Sequence, residues 1–201
     1  VKGIVCPKAS SYSRKVIDEL TEYLKKYFNA KGLAWMKCSG DKLTGGISKF
    51  FPESVQDEII TDLQITDDQI VFMVGDDPSI VFAALGALRL KIGHRDGLID
   101  NEDWAPLWVV DFPLVEWNND EKRWQALHHP FTSPNLLDLK KLVTDPGDVR
   151  SLGYDIVMNG YELGGGSIRI HNKDMQAQIF KLLGLSDEEA NEKFGFLMNA
   201  F

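Results

Sequence analysis

Residues 154–171 read YDIVMNGYELGGGSIRIH, and their alternation confines this part of the chain to a sheet. Ile156 and Met158, then Ile168 and Ile170, recur with the two-residue period of half-buried strands, whereas a helix needs apolar residues three and four apart. Between the two runs stand Gly164, Gly165 and Gly166. Without Cβ atoms they admit a ligand or another backbone at close range, and they can equally mark a bend or bulge. The segment is expected to be a hairpin with the glycines between its strands. Glu162 and Arg169 then sit seven residues apart across the glycines, where antiparallel pairing aims both at one hollow on one sheet face. A carboxylate and a guanidinium so placed read as a ligand site; they read equally as a cross-strand salt bridge beside a packing-driven glycine run.

Charge narrows the field of partners. The formal net charge is −8, and the acid excess is shared: residues 1–104 carry 13 Lys/Arg against 16 Asp/Glu, and residues 105–201 carry 9 against 14. Neither half is a basic module of the kind that neutralises phosphates along a nucleic acid. Any RNA contact is left to small local patches or to segments outside this chain. No apolar run approaches the length of a membrane span, and no signal-peptide pattern is present, so a cytoplasmic location with no membrane contact is expected. Cys6 and Cys38 are the only cysteines, with no CxxC and no histidine at metal-ligand spacing. Reduced thiols are expected, with neither a zinc site nor a disulfide framework, although the two lie close if the first two strands pair.

At 201 residues the chain holds one large domain or two small ones. In the first half, strands are expected at Val1–Pro7, Leu33–Cys38 and Gln69–Val74. Helices are expected at Arg14–Asn29, Glu53–Leu63 and Ser79–Ile92, the last started by Asp77-Pro78 and ended by Gly93. On the first helix Val16, Leu20, Tyr23, Leu24, Tyr27 and Phe28 form the predicted core face. Alternating single strands and helices of this size predict an α+β fold, a two-layer domain with helices on one face of a small antiparallel sheet. Periodicity is lost around Arg95–Asp103, which sets domains of 1–97 and 105–201. In the second half, strands Leu107–Glu116 and Trp124–His128 flank an Asn118–Glu121 turn. Leu136, Leu139 and Leu142 make a helical patch in a long connection, Met175–Leu183 is helical, and a Ser186–Glu189 capping box opens a helix over about Asp187–Asn199. The opening at Val1 directly on a strand, and the end at Phe201 straight after a helix, are those expected of an excised piece.

Arg169 has the chemistry to hold a small carboxylate, because its planar fork donates two parallel hydrogen bonds and stays charged. Glycines 164–166 lack the Lys-Ser/Thr of a phosphate-binding loop. His128 and His129 precede Pro130, and a pair of this kind is more often structural than catalytic. No Ser or Cys nucleophile partners them, so a hydrolase triad is not indicated, and no catalytic side chain is assigned.

The stretch NGYE-GGGS-RIH, with Trp104–Val109, Asp111-Phe112-Pro113, His128–Pro134 and Glu192–Phe196, resembles bacterial-type aspartyl-tRNA synthetases, which are class II enzymes. Residues 1–97 resemble the GAD-like insertion domain that these enzymes share with the B subunit of the tRNA-dependent amidotransferase. The resemblance implies that 105–201 is the C-terminal portion of a class II antiparallel-sheet catalytic domain, in a homodimeric parent that uses ATP and Mg²⁺ to activate L-aspartate and then charges tRNA. It further implies that Arg169 recognises the aspartate side chain, that His128 lines the aspartate pocket with His129 as its neighbour on the opposite face, and that Glu162 contacts ATP. The anticodon-binding barrel, the Phe-Arg motif that holds ATP and the closing Gly-Leu-Asp-Arg motif are not found, so activity of these residues by themselves is not expected. The rival reading is a non-catalytic binding or structural module related to the insertion domain of the amidotransferase B subunit.

Overall fold

The run Gln69–Val74 (QIVFMV) has no polar face, and the computed structural model, which describes residues 1–100 and 102–198, buries it on both sides. Two compact units are present, Val1–Asp100 and Asn101–Phe201. The first consists of β1 (Lys2–Pro7), α1 (Arg14–Phe28), β2 (Ala34–Ser39), β3 (Lys42–Thr44), α2 (Glu53–Asp62), β4 (Gln69–Val74) and α3 (Pro78–Arg95). Its sheet has the order β1-β4-β2-β3 with every pair antiparallel.

Helices cover both faces of that sheet, where the sequence predicts one. Ile70, Phe72 and Val74 point with Cys6 into a core that contains Leu20 and Leu24 of α1 and Ala84 and Leu88 of α3. Val71 joins Met36, Cys38 and Leu43 on the other side, packed against Ile59 and Ile60 of α2. The cause is the unbroken apolar run of β4, which leaves neither face fit for water. β4 also separates β1 from β2, so the two cysteines lie on non-adjacent strands and in different cores.

Ser13 caps α1, its hydroxyl accepting the Val16 N–H at 3.3 Å, and Asn29 ends it in a left-handed conformation at φ 56°. The buried stripe is Ile17, Leu20 and Leu24; Tyr27, predicted for the core, is 62% exposed because it falls on the flank of that stripe. Gly93 does not end α3. It is buried against Ile99, whose Cδ1 would stand 3.0 Å from an added Cβ, and the chain leaves the helix two residues later.

The second unit consists of β5 (Pro106–Val110), β6 (Val115–Asn118), β7 (Arg123–Ala126), α4 (Lys141–Thr144), β8 (Gly153–Met158), β9 (Tyr161–Ser167), α5 (Lys173–Leu182) and α6 (Asp187–Met198). The single strand expected over 107–116 is broken at Asp111, which is left-handed at φ 58°. The break sends β5 into a three-stranded sheet of order β5-β8-β9 and β6 into a hairpin with β7, where Trp117 and Trp124 pair edge to face at 5.4 Å. The connection to β8 is pinned by Asp138, which accepts the Arg150 Nε–H at 2.7 Å and the Arg150 backbone N–H at 3.2 Å. That bond holds the Asp138 carboxyl below its ordinary range. Of the leucines predicted for this connection, Leu142 is buried while Leu136 stays 68% exposed.

Both hydrogen bonds of the predicted capping box are made: Glu189 N–H to Ser186 Oγ at 3.2 Å and Ser186 N–H to Glu189 Oε2 at 2.9 Å. Asn199, included in the predicted final helix, lies outside the described residues. Phe131, Phe180 and Phe194 form a ring cluster, and Leu114, Val149, Ile170 and Ile179 form the neighbouring core. No helix among the described residues is long and apolar enough to cross a membrane.

A polypeptide of residues 1–97 is expected to unfold cooperatively, since α1 and α3 bury their apolar faces against one sheet. Within it Leu24→Ala, at a site 0% exposed, should cost about 2–5 kcal/mol, read as a lower urea midpoint at unchanged slope.

Candidate ligand-binding face of the three-stranded sheet

The hairpin of residues 153–167 turns at Asn159-Gly160, both with positive φ, so the three glycines lie inside β9 and do not form its tip. Asn-Gly is the dipeptide favoured in two-residue hairpin turns. Pairing runs Gly153↔Ser167, Tyr154↔Gly166, Asp155↔Gly165 and Ile156↔Gly164, then shifts to Val157↔Glu162 and Met158↔Tyr161. Leu163 is therefore a bulge.

Side chains alternate along a strand, so residues seven apart would ordinarily face opposite ways. The bulge removes one step of alternation. Glu162, Gly165 and Ser167 consequently share a face with Gly153, Asp155 and Val157, and Arg169, bridged to Thr132 two residues beyond Ser167, continues it. The sequence-based expectation that Glu162 and Arg169 face each other from two strands is corrected: both belong to one extended run. Six strand steps of roughly 3.3 Å separate them, about 20 Å. They form no ion pair with each other or with any other described residue. The salt-bridge alternative is thereby removed, and so is the notion that the two close on one small ion.

The chain's own side chains account for two of the glycines. A Cβ at Gly165 would overlap Asp155 Oδ1, and one at Gly166 would lie 3.0 Å from the Tyr154 hydroxyl on the opposite face. An added Cβ at Gly164 meets nothing within 4 Å. Asp155 is the residue that the sequence reading passed over. A charge inside the otherwise apolar strand YDIVM was the available signal, and the register brings it to the Glu162 face, diagonal to that residue at about 7–8 Å. Among the described residues no group of three or more metal-liganding side chains forms.

The histidines border the Arg169 end. β7 stops at Ala126, so the strand alternation that would separate them does not reach residues 128 and 129. The His128 ring stands edge-on to Phe112 at 4.6 Å, with Nδ1 3.7 Å from where a Gly153 Cβ would be, over the last residue pair of the β8–β9 ladder. His129 packs on Phe131 at 5.1 Å, and its Nδ1 accepts the Phe131 N–H at 3.2 Å. Partial burial of the ring, and then the nearby Arg169 guanidinium, push the His129 pKa below the ordinary 6.5. Thr132 donates to Ser167 Oγ at 3.2 Å, and the bonds Ser133 N–H to Ile168 O and Ile170 N–H to Phe131 O lace this segment to Arg169.

One face of the sheet thus carries a cationic, histidine-flanked end at Arg169 and a carboxylate end at Glu162 and Asp155. The family model for tRNA synthetases class II (D, K and N) matches residues 10–201, and the chain belongs to that family. It is 50% identical over 193 residues to the aspartate–tRNA(Asp/Asn) ligase of Anoxybacillus flavithermus and to the aspartate–tRNA ligase of Geobacillus kaustophilus, matches covering 96% of this chain and 32% of each relative. Over 200 residues it is 48% identical to the aspartate–tRNA(Asp/Asn) ligase of Protochlamydia amoebophila, covering 100% of this chain and 33% of that one. The chain thus spans about a third of the length of the curated relatives it matches.

His129 is expected to titrate below 6.5 by proton NMR, and Arg169→Ala should raise its midpoint, because one of the two depressing influences is removed. The unfolded histidine takes up its proton first. Folding stability from this residue therefore declines as pH falls through the unfolded value and is unaffected well above it.

Proposed function

We propose that this chain is the insertion domain and adjoining catalytic segment of an aspartate–tRNA ligase, whose full-length form activates L-aspartate with ATP and transfers it to tRNA. The observation that carries the reading is the shared face of Glu162, Asp155, Ser167 and Arg169 created by the Leu163 bulge. An extended ligand with a carboxylate at one end and a nucleotide at the other fits the span between Arg169 and Glu162. The names of the relatives supply the substrate. The unit of residues 1–100 is read as the GAD-like insertion domain and residues 105–201 as the C-terminal part of the catalytic domain.

In this reading the Arg169 fork takes the aspartate side-chain carboxylate. Asparagine is rejected there because its amide would set N–H donors against a group that only donates. His128, placed over Gly153, closes the same end. His129, its pKa lowered by partial burial and by Arg169, adds a donor where a second positive charge is disfavoured. Glu162 faces the nucleotide. Asp155 and Glu162 are two carboxylates on paired strands, a donor set suited to a Mg²⁺ that takes its remaining ligands from phosphate oxygens and water. When bound, Mg²⁺ would neutralise phosphate charge while the aspartate α-carboxylate attacks the α-phosphate and the bond to the β-phosphate breaks, releasing pyrophosphate. The residues of this chain contribute by binding and aligning the two ends, and none serves as a covalent nucleophile.

Aspartate-dependent pyrophosphate exchange by the full-length protein tests this. Arg169→Lys keeps the charge and loses the fork, and should lower kcat/KM for aspartate by at least ten- to hundredfold, the loss of about 1.5–3 kcal/mol. Glu162→Gln should raise KM for ATP more than for aspartate, and His128→Ala the reverse. Unchanged aspartate efficiency in Arg169→Lys would refute the assignment.

Gly165→Ala is a separate probe of the carboxylate end. The new methyl displaces the tip of Asp155, so the fold should survive with ATP-dependent Mg²⁺ activation shifted about tenfold to higher metal concentration.

A further inference from the structure

Gln176, in the second turn of α5, is 0% exposed and only half satisfied. Its Nε2 donates to the Pro130 carbonyl at 2.9 Å, while Oε1 has no partner. Turning the amide over would set oxygen against oxygen, so the orientation is fixed by its neighbour. An apolar side chain of the same size would fill the space and remove the stranded Oε1, but it would take away the donor on the Pro130 carbonyl, so the bond to that carbonyl is what a glutamine supplies here. Only its donor half is used.

The carbonyl that Gln176 holds belongs to the central peptide of a turn, closed by the Thr132 N–H to the His129 carbonyl at 3.0 Å. Neither end of a turn's central peptide is engaged by the turn's own hydrogen bond. Here both are engaged by side chains: the Pro130 C=O by Gln176 Nε2 from outside the turn, and the Phe131 N–H by Nδ1 of His129, the turn's own first residue, at 3.2 Å. Rotating that peptide into the alternative turn would need a positive φ at Phe131, which the chain does not adopt. A donor on the carbonyl also polarises the peptide and strengthens its N–H as a donor. With Nδ1 committed as an acceptor, the proton of the neutral His129 ring sits on Nε2.

We propose that Gln176 is a positioning residue: acting through the Pro130–Phe131 peptide, it fixes the ring orientation and tautomer of His129 beside Arg169, so that the imidazole offers an Nε2–H donor to an anionic ligand at that end of the sheet. The ligand part of this inference rests on the reading of Arg169 as the carboxylate holder; the control of the ring does not.

Gln176→Met, and Gln176→Leu should Met pack poorly, remove both polar atoms at nearly constant volume. In the 201-residue chain the melting temperature should change little, since the stranded Oε1 is gone while the part-buried Pro130 carbonyl loses its donor. Nitrogen-15 NMR of the His129 ring should nevertheless show loss of the pure Nε2–H form and a shifted titration midpoint. In the full-length protein KM for aspartate should rise about tenfold with that for ATP unmoved. A folded variant whose His129 tautomer and midpoint match the wild type overturns the proposal, whatever its activity, and so does a loss of stability with the ring unaltered. An altered ring with unchanged KM for aspartate supports Gln176 as the residue that sets His129 and counts against the carboxylate assignment at Arg169.

Discussion

A single extra residue in β9 decides which way the charged groups of the second unit face. Without the bulge at Leu163, Glu162 would lie on the side of Trp108, Tyr154 and Ile156, and the face carrying Arg169 would hold no second charged group from its own strand. The glycines are tied to the same arrangement. Asp155 needs the space above Gly165, and Tyr154 needs that beside Gly166, so a close-packed pair of strands and a carboxylate laid across them come as one solution. Bulges are common where a strand must re-aim a side chain.

The two ends of the face differ in electrostatic character because their surroundings differ. At the cationic end a guanidinium stands near an imidazole whose pKa is lowered by partial burial and then by that guanidinium, which disfavours a second positive charge there. At the other end two carboxylates lie on neighbouring strands with no basic partner among the described residues, an arrangement that favours a cation.

Much of this was legible in the residues. Apolar periodicity located α1, α2, β4 and α5 to within a few positions, and the capping box at Ser186 formed as read. Hairpin geometry failed where composition outweighed turn chemistry: Gly164–Gly166 drew the turn towards themselves, although Asn159-Gly160 is the stronger local signal. The breaks that periodicity could not foresee were backbone events, the left-handed Asp111 that divides a predicted strand and the bulge that adds a residue to β9. β3 went unread because three residues are too few for any period, and the second helical layer of the first unit because single-strand patterns do not say which partner covers which face. Gln176 was invisible as anything but one polar position on a helix, since its meaning lies in a carbonyl 46 residues away.

The burial of Cys6 and Cys38 in separate cores has a practical side. Desolvation pushes the Cys6 thiol up to about 11 and raises that of Cys38 as well, so neither is a reactive thiolate in the folded protein. Both thiols belong to the first unit, whereas four of the five tryptophans, at 104, 108, 117 and 124, belong to the second. The chain thus carries two separate optical and chemical clocks. Alkylation times the opening of one unit, fluorescence follows mainly the other, and a single sample distinguishes joint unfolding from sequential.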